Sequence, residues 1–175
     1  MMRSFIARHS LLYKPVGNIP AMCGNGLCVL GDYTKPGCAG PDRISPIALI
    51  EKYLQNLCKS KKFDTVLFEH KLLSSLFDAT VRIFKAVGKE NFGVIHLCSD
   101  FNQTMDKVYA RNGGKIVNVE NCFNSYKATI KSVSKLKALG IRVMKLDPYE
   151  YQPKQLGELV DTFIGEAFAN GPETN

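Results

Sequence analysis

Short apolar runs that alternate with helix-like segments constrain the fold of this chain most strongly. The run FGVIHLCSD, residues 92–100, is almost continuously apolar, which is typical of a strand covered on both faces. Further strands are predicted at FDTVLFE (63–69), at IRVMKLD (141–147) and, earlier, at CVLG (28–31). Strands separated by helices favour right-handed βαβ units, so we expect the α/β fold class with a mostly parallel sheet.

The segments between these strands carry apolar residues at helical spacing. Helices are predicted from Ser45-Pro46 to about Cys58, from Leu72 to near Gly88, from Asn102 to Arg111, from Asn124 to Gly140, and from Pro153 onward. KIVNVEN, residues 115–121, fits either a strand or an extended loop. The first forty-odd residues, which are rich in glycine, are expected to be irregular apart from CVLG.

Composition indicates a globular protein. Of 175 residues, 45% are hydrophobic and 22% are charged, which argues against disorder. We expect one domain over residues 1–170 and a loose tail at 171–175. No apolar run approaches the roughly 18 residues of a membrane span, so no membrane partner is expected. The spacing of Cys23, Cys28 and Cys38 fits no common metal site and favours a reducing, cytoplasmic setting.

The net charge of +7 favours an anionic partner such as nucleic acid, nucleotide or anionic lipid. A basic protein that is merely soluble explains the same charge equally well. The stripe of Lys127, Lys131 and Lys135 at four-residue intervals is either a solvated helix face or a track for nucleic acid. It would matter for function only if it lay on the same side as the strand ends.

Four predicted strands each end on an acid. These acids are Asp32, Glu69, Asp100 and Asp147. Ligands of open α/β sheets bind beyond the carboxyl ends of the strands, while acids at these positions also cap the following helices. We favour capping for Asp100 and Asp147, and a functional role for Asp32 and Glu69.

Four stretches, in order and spacing, resemble a known family. They are VLGDYTKPGCAGPDRIS (29–45), DTVLFEHKLLSS (64–75), VIHLCSDFNQTMDKVYARNGGK (94–115) and IRVMKLDPYEYQPKQLGELVDTFI (141–164). These stretches resemble the second strand and substrate loop, the third strand, the fourth strand and lid, and the closing strand and helix of P-loop nucleotide and polynucleotide kinases. The resemblance is nearest to phage-type kinase-like proteins proposed to phosphorylate hydroxymethyluracil in DNA.

The resemblance implies a three-layer P-loop kinase-like fold, ATP and Mg²⁺ as cofactors, and DNA or a nucleotide as substrate. For a phage-encoded protein, it also implies the cytoplasm of an infected host cell. The family's G-x-x-x-x-G-K-[ST] loop, whose backbone N–H groups cradle phosphates, has no match in residues 1–25. MMRSFIARHSLL, residues 1–12, resembles instead the helix that follows that loop. Either the chain begins downstream of a true P-loop, or it is a relative that has lost the loop and its activity.

The resemblance also suggests roles for individual residues. Asp32 would deprotonate the acceptor hydroxyl, Arg111 would close over the phosphates, and Glu69 would hold Mg²⁺. The remaining assignments are Tyr33, Asp42 and Arg43 to the acceptor pocket, and Lys107 and Lys115 to the nucleotide. The structural alternatives are an Asx-turn at Asp32, a helix end at Arg111 followed by Gly113-Gly114, and a helix-start charge at Glu69.

Two other function classes stay open. One is a non-catalytic relative that binds nucleic acid, with a catalytic protein partner or a second copy of itself. The other is an acetyltransferase-like protein, since DFNQTMDKVYARNGGKIVN at 100–118 is superficially similar to the Asn, Tyr and Gly pattern of that class. We disfavour the second because the amphipathic helix at 124–139 stands where that class has a strand hairpin.

Overall fold

The computed structural model describes residues 1–34, 47–69, 77–88, 90–113 and 115–169. Six helices and six strands lie in these ranges. The helices are α1 (Met2–Arg8), α2 (Ile47–Ser60), α3 (Phe77–Val87), α4 (Phe101–Asn112), α5 (Val119–Ala138) and α6 (Pro153–Ala169). The strands are β1 (Leu12–Tyr13), β2 (Ala21–Gly24), β3 (Leu27–Leu30), β4 (Thr65–Leu67), β5 (Gly93–Leu97) and β6 (Arg142–Leu146).

The chain is mixed α/β, but the expectation of one mostly parallel sheet is wrong for the described residues. A four-stranded sheet has the order β1-β2-β3-β4, and a separate two-stranded sheet pairs β5 with β6. The β1–β2 and β2–β3 pairs are antiparallel, whereas β3–β4 and β5–β6 are parallel. The antiparallel half arises because a tight turn, and no helix, connects β2 to β3.

That turn is a two-residue hairpin loop. Asn25 and Gly26 both have positive φ, at 50° and 75°, and Gly24 pairs with Leu27 on either side of them. Asn-Gly is the preferred sequence for a type I′ hairpin turn, whose twist matches that of the flanking strands. The expectation of an irregular amino-terminal segment was therefore wrong, and the Asn-Gly pair inside AMCGNGLCVL was the signal that pointed to the hairpin.

Alternate side chains of the hairpin enter two different cores. On one face, Ala21, Cys23, Cys28 and Leu30 pack with buried residues of α2 and α3, including Ile50, Leu54 and Ile83. On the other face, Met22 and Val29 pack with residues of α1 and α6, including Phe5 and Val160. Since each core holds helices on its outer side, the strands form the middle of three layers.

Helices α1 and α6 are also joined by ionic contacts at the surface. Arg8 Nε lies 2.6 Å from Asp161 Oδ2, and Arg8 Nη1 lies 3.2 Å from Glu158 Oε1. His9 Nε2 lies 2.6 Å from Asp161 Oδ1. Because exposed ion pairs contribute little to stability, these pairs mainly orient the two helices. The burial of Phe5 and Val160 stabilises the contact between α1 and α6 more strongly.

The helix predictions hold with shifted ends. Helix α6 begins at Pro153 as predicted, and α4 extends one residue beyond the predicted 102–111 at each end. Helix α5 begins at Val119, five residues before the predicted Asn124, because Asn118 caps it by accepting a hydrogen bond from Asn121 N at 2.9 Å. The predicted helix starts at Ser45-Pro46 and at Leu72, and the predicted 171–175 tail, lie outside the described residues. None of the described helices has the length and apolar character needed to cross a membrane.

Substitution of Gly26 by alanine tests how tightly the hairpin fits against β4. A Cβ at Gly26 would lie 2.0 Å from Asp64 Oδ2, in addition to the strain of a positive φ. We expect Gly26→Ala to lower the free energy of unfolding by about 2–3 kcal/mol, measured by urea denaturation.

Gly113→Ala is the matched control, because Gly113 has a φ of 59° and a Cβ there would meet nothing within 4 Å. It should cost only the backbone strain, about 1 kcal/mol. Equal losses in the two variants would show that the contact with Asp64 contributes nothing.

Candidate functional site

Charged residues from the segments that follow β4 and β5 lie near Met1, the residue that precedes α1. Burial lowers the pKa of the Met1 amino group, an effect opposed by the charge of Glu69 and reinforced by that of Lys107. Glu69 lies two residues after β4, and Lys107 lies on α4, which follows β5. Two predicted site residues from different segments are therefore within electrostatic reach of one atom. We call the group of Met1, Tyr33, Glu69 and Lys107 the carboxyl-edge site.

Tyr33, the predicted substrate contact after β3, is tied to the same helix. The guanidinium of Arg3 donates a hydrogen bond from Nη1 to Tyr33 O, and Arg3 Cζ lies 5.8 Å from the centre of the Tyr33 ring. The Tyr33 side chain is buried, and it lines a cleft of about 240 Å³ with Arg3, Ile6 and Leu11. This cleft is smaller than the roughly 300–1,000 Å³ of most small-molecule sites, so the residues that line it do not enclose a pocket of that size.

Asp32 forms the Asx-turn that the sequence allowed as the structural alternative. Its Oδ1 accepts a hydrogen bond from Thr34 N at 3.1 Å and another from the Thr34 hydroxyl. The carboxylate thus shapes the start of the loop after β3. Asp42 and Arg43, the other predicted residues of this loop, lie outside the described residues.

A second aromatic residue, Tyr149, connects the end of β6 to α4. Lys107 Nζ lies 4.0 Å from the centre of the Tyr149 ring, and the Tyr149 hydroxyl donates to Gln103 O at 2.5 Å. Burial raises the pKa of Tyr149, and the charges of Asp106, Asp100 and Asp147 raise it further. The Lys107 ammonium therefore lies over the ring of Tyr149, the third residue after β6, in a cation–π contact.

The two remaining strand-end acids have local roles. Asp100 is the N-cap of α4: its side chain accepts from Gln103 N at 2.9 Å, and Gln103 Oε1 accepts from Asp100 N in return. This capping box confirms the structural prediction for Asp100. Asp147 shapes a turn and does not cap a helix, because its Oδ1 accepts from Tyr149 N at 2.9 Å.

Arg111 and Lys115 lie at and beyond the carboxyl end of α4. The helix ends at Asn112 with Gly113 in the left-handed conformation, as the alternative for Arg111 predicted. Arg111 is exposed and follows Lys107 by four residues, so both lie on one side of α4. Lys115 N donates to Asn112 O at 3.2 Å, which folds the next segment back on the helix end.

The side chains of the carboxyl-edge site fit the predicted cofactors, ATP and Mg²⁺, only in part. Glu69 is an exposed single carboxylate at the site, and Mg²⁺ in phosphoryl-transfer sites often takes one or two carboxylates together with phosphate oxygens. Within the described ranges, no three His, Cys, Asp or Glu side chains cluster closely enough to hold a metal by themselves. Lys107 supplies a cation, and the sequence of residues 1–25 does not match the loop that cradles ATP phosphates in P-loop kinases.

Sequence reasoning missed two residues of this site. Tyr149 follows a predicted strand-end acid by two positions, so its position at the end of β6 was a usable signal. Arg3 carried no such signal, because its contact with Tyr33 joins residues 30 positions apart.

Comparisons with protein-family models, curated proteins and solved structures find no match for this chain.

His96, in the middle of β5, is expected to make the free energy of unfolding depend on pH. Its Nδ1 is buried without a hydrogen-bond partner among the described residues, and Lys145 is its cross-strand neighbour on β6. Burial lowers the pKa of His96 below 6.5, and the charge of Lys145 lowers it further. The unfolded chain therefore binds a proton more readily than the folded one as the pH falls through 6.5.

We expect the unfolding free energy to fall by about 1 kcal/mol more in the wild type than in His96→Leu between pH 7.0 and 5.5. Urea denaturation at the two pH values measures this difference. Lys145→Met, which removes one cause of the shift, should show an intermediate loss. An equal loss in the wild type and His96→Leu would rule out the linkage.

Proposed function

We propose that this chain forms the core of a P-loop kinase-like protein that transfers the γ-phosphate of ATP to the hydroxyl of a hydroxymethylated pyrimidine in DNA. The observation that carries the proposal is the convergence at the carboxyl-edge site. Glu69 and Lys107 each lie within electrostatic reach of Met1 N at the start of α1, and Arg3 connects α1 to the loop of Asp32 and Tyr33. Ligands of α/β sheets bind at this edge.

The unpaired edges of β4 and β5 support the P-loop form of the fold. In the described part of the chain, β4 ends the four-stranded sheet and β5 begins the two-stranded one, so each has an edge that no strand pairs. Leu67 of β4 and Ile95 of β5 both pack against the core beneath α1. In the proposed fold, a further parallel strand leading into α1 would pair with both edges and join the two sheets into one.

In this proposal the residues act mainly by position and charge. Asp32 would accept the proton of the substrate hydroxyl, and its Asx-turn holds the carboxylate in one orientation. Tyr33 and Arg3 would form the wall of the acceptor pocket, with Asp42 and Arg43 further along the loop. Lys107, Arg111 and Lys115 would supply positive charge to the phosphates. Glu69 would hold Mg²⁺, which neutralises phosphate charge when bound.

A second candidate function is a non-catalytic nucleic-acid-binding relative that works beside a catalytic partner or as a homo-oligomer. One observation favours it: residues 1–25 contain no G-x-x-x-x-G-K-[ST] sequence. This candidate keeps the basic surface and DNA as the partner but requires no ATP.

Transfer of labelled phosphate from ATP to hydroxymethyluracil-containing DNA separates the two candidates. The kinase predicts transfer by the wild type and a loss of about 100-fold or more in Asp32→Asn, since a positioned general base contributes about 10²–10⁴ in rate. Asparagine retains an Oδ1 that accepts from Thr34 N, so the loop should keep its conformation and thermal unfolding should not change.

Asp78→Asn is the matched control, because Asp78 is an exposed acid in the first turn of α3, outside the carboxyl-edge site. It should retain transfer activity. Absence of transfer by the wild type, together with DNA binding that weakens with salt, would favour the non-catalytic candidate. The intact mass of the protein from its natural source, compared with 19.4 kDa, tests whether a strand and phosphate-binding loop precede Met1.

A further inference from the structure

The solvent-facing side of α5 carries positive charge and exposed apolar groups together. Its cations are Lys127, Lys131, Lys135 and Lys137, all exposed, and Glu120 is the single acid of the helix. Phe123 and Ile130, each 41% exposed, lie on the same side. We call the set of Phe123, Lys127, Ile130, Lys131 and Lys135 the lysine strip.

The inner side of α5 is occupied by the core, so the strip faces solvent. Ser132, Val133 and Leu136 are buried. An amphipathic helix that lies on a membrane inserts its apolar side, and here that side already packs inside the protein. The exposed charge therefore points to a water-soluble anionic partner.

The aromatic end of the strip is held in place. The Phe123 ring lies edge-on to Phe101 of α4, with centroids 5.0 Å apart and planes at 67°, and Lys127 Nζ lies 4.4 Å from the Phe123 centroid. A fixed, partly exposed ring with a cation beside it suits a nucleobase that stacks while its phosphate pairs with the lysine. Stacking of this kind requires a base that is free of a duplex.

The same end lies at the carboxyl edge of the strands. Tyr126 donates a hydrogen bond to Ser99 O at 3.0 Å, and Ser99 is the second residue after β5. The strip therefore begins near the carboxyl end of β5 and continues along a helix about 30 Å long. At its Phe123 end, the lysine strip thus lies on the side of the strand ends, where a nucleic-acid track would have to lie.

We propose that the lysine strip binds single-stranded DNA and leads it to the carboxyl-edge site, a proposal that rests on DNA being the substrate of the proposed function. Bases would stack on Phe123, and backbone phosphates would pair with Lys127 and Lys131. The strip adds no sequence preference, because charge and stacking are common to all bases.

Binding of a fluorescent 20-nucleotide single strand, followed by anisotropy without ATP, tests the proposal. Lys127→Gln/Lys131→Gln should weaken binding about tenfold in low salt and reduce the slope of log K against log salt by about 1.4, since each phosphate that a lysine neutralises contributes about 0.7. Phe123→Leu, which keeps an apolar side chain against Phe101, should weaken binding about fivefold or more.

Lys59→Gln/Lys85→Gln is the matched control, since it removes the same charge from exposed lysines in the last turns of α2 and α3. If the two double variants weaken binding equally, the proposal is overturned, because general attraction between a basic protein and DNA would then explain the binding. Absence of wild-type binding at low salt, or binding only to anionic phospholipid vesicles, would also overturn it. The binding assay contains no ATP, so its result does not depend on catalysis. Binding at the strip, together with no transfer in the separate assay with labelled ATP, would contradict the kinase proposal and leave single-stranded DNA binding by the strip standing.

Discussion

The antiparallel pairing of β2 with β3 is the constraint on which the rest of the structure depends. Since side chains alternate along a strand, this hairpin sends Cys23 and Cys28 into the core beneath α2 and α3, and Met22 and Val29 into the core beneath α1 and α6. A one-residue shift in register would move each set of side chains to the opposite face of the sheet, beneath the wrong pair of helices. The Asn25-Gly26 turn prevents that shift because it sets the pairing on both sides.

The hairpin also explains the chemistry of its two cysteines. Cys23 and Cys28 face each other across the strands with their sulfur atoms 3.6 Å apart, in a buried setting. Burial raises the pKa of Cys28 to about 12, and Cys23 adds to the shift by its proximity and hydrogen bond. The thiol therefore stays protonated near neutral pH and acts as a small core side chain.

Local sequence was sufficient for elements whose signal lies within a few residues. The apolar run of β5, the proline that starts α6 and the glycine after α4 each specify a strand or a helix end by themselves. The antiparallel half was missed because β1 has two residues and β2 has four, too few for a clear strand pattern, although Asn25-Gly26 marked the turn between β2 and β3. At the site, the rule about strand ends led to Glu69 and Tyr33, but the contact of Tyr33 with Arg3 depends on how α1 packs, which no local pattern encodes.

The two interpretations of Asp32 are compatible in physical terms. An ionised carboxylate has about four positions at which it can accept hydrogen bonds, and both bonds from Thr34 reach the same oxygen, Oδ1. A general base must also be held in a defined orientation, which a solvated side chain on a glycine-rich loop would lack. An Asx-turn supplies that orientation from the adjacent residues. Turn formation by Asp32 is thus a precondition for the proposed role in phosphate transfer, and the same turn is equally useful to a protein that only binds its ligand.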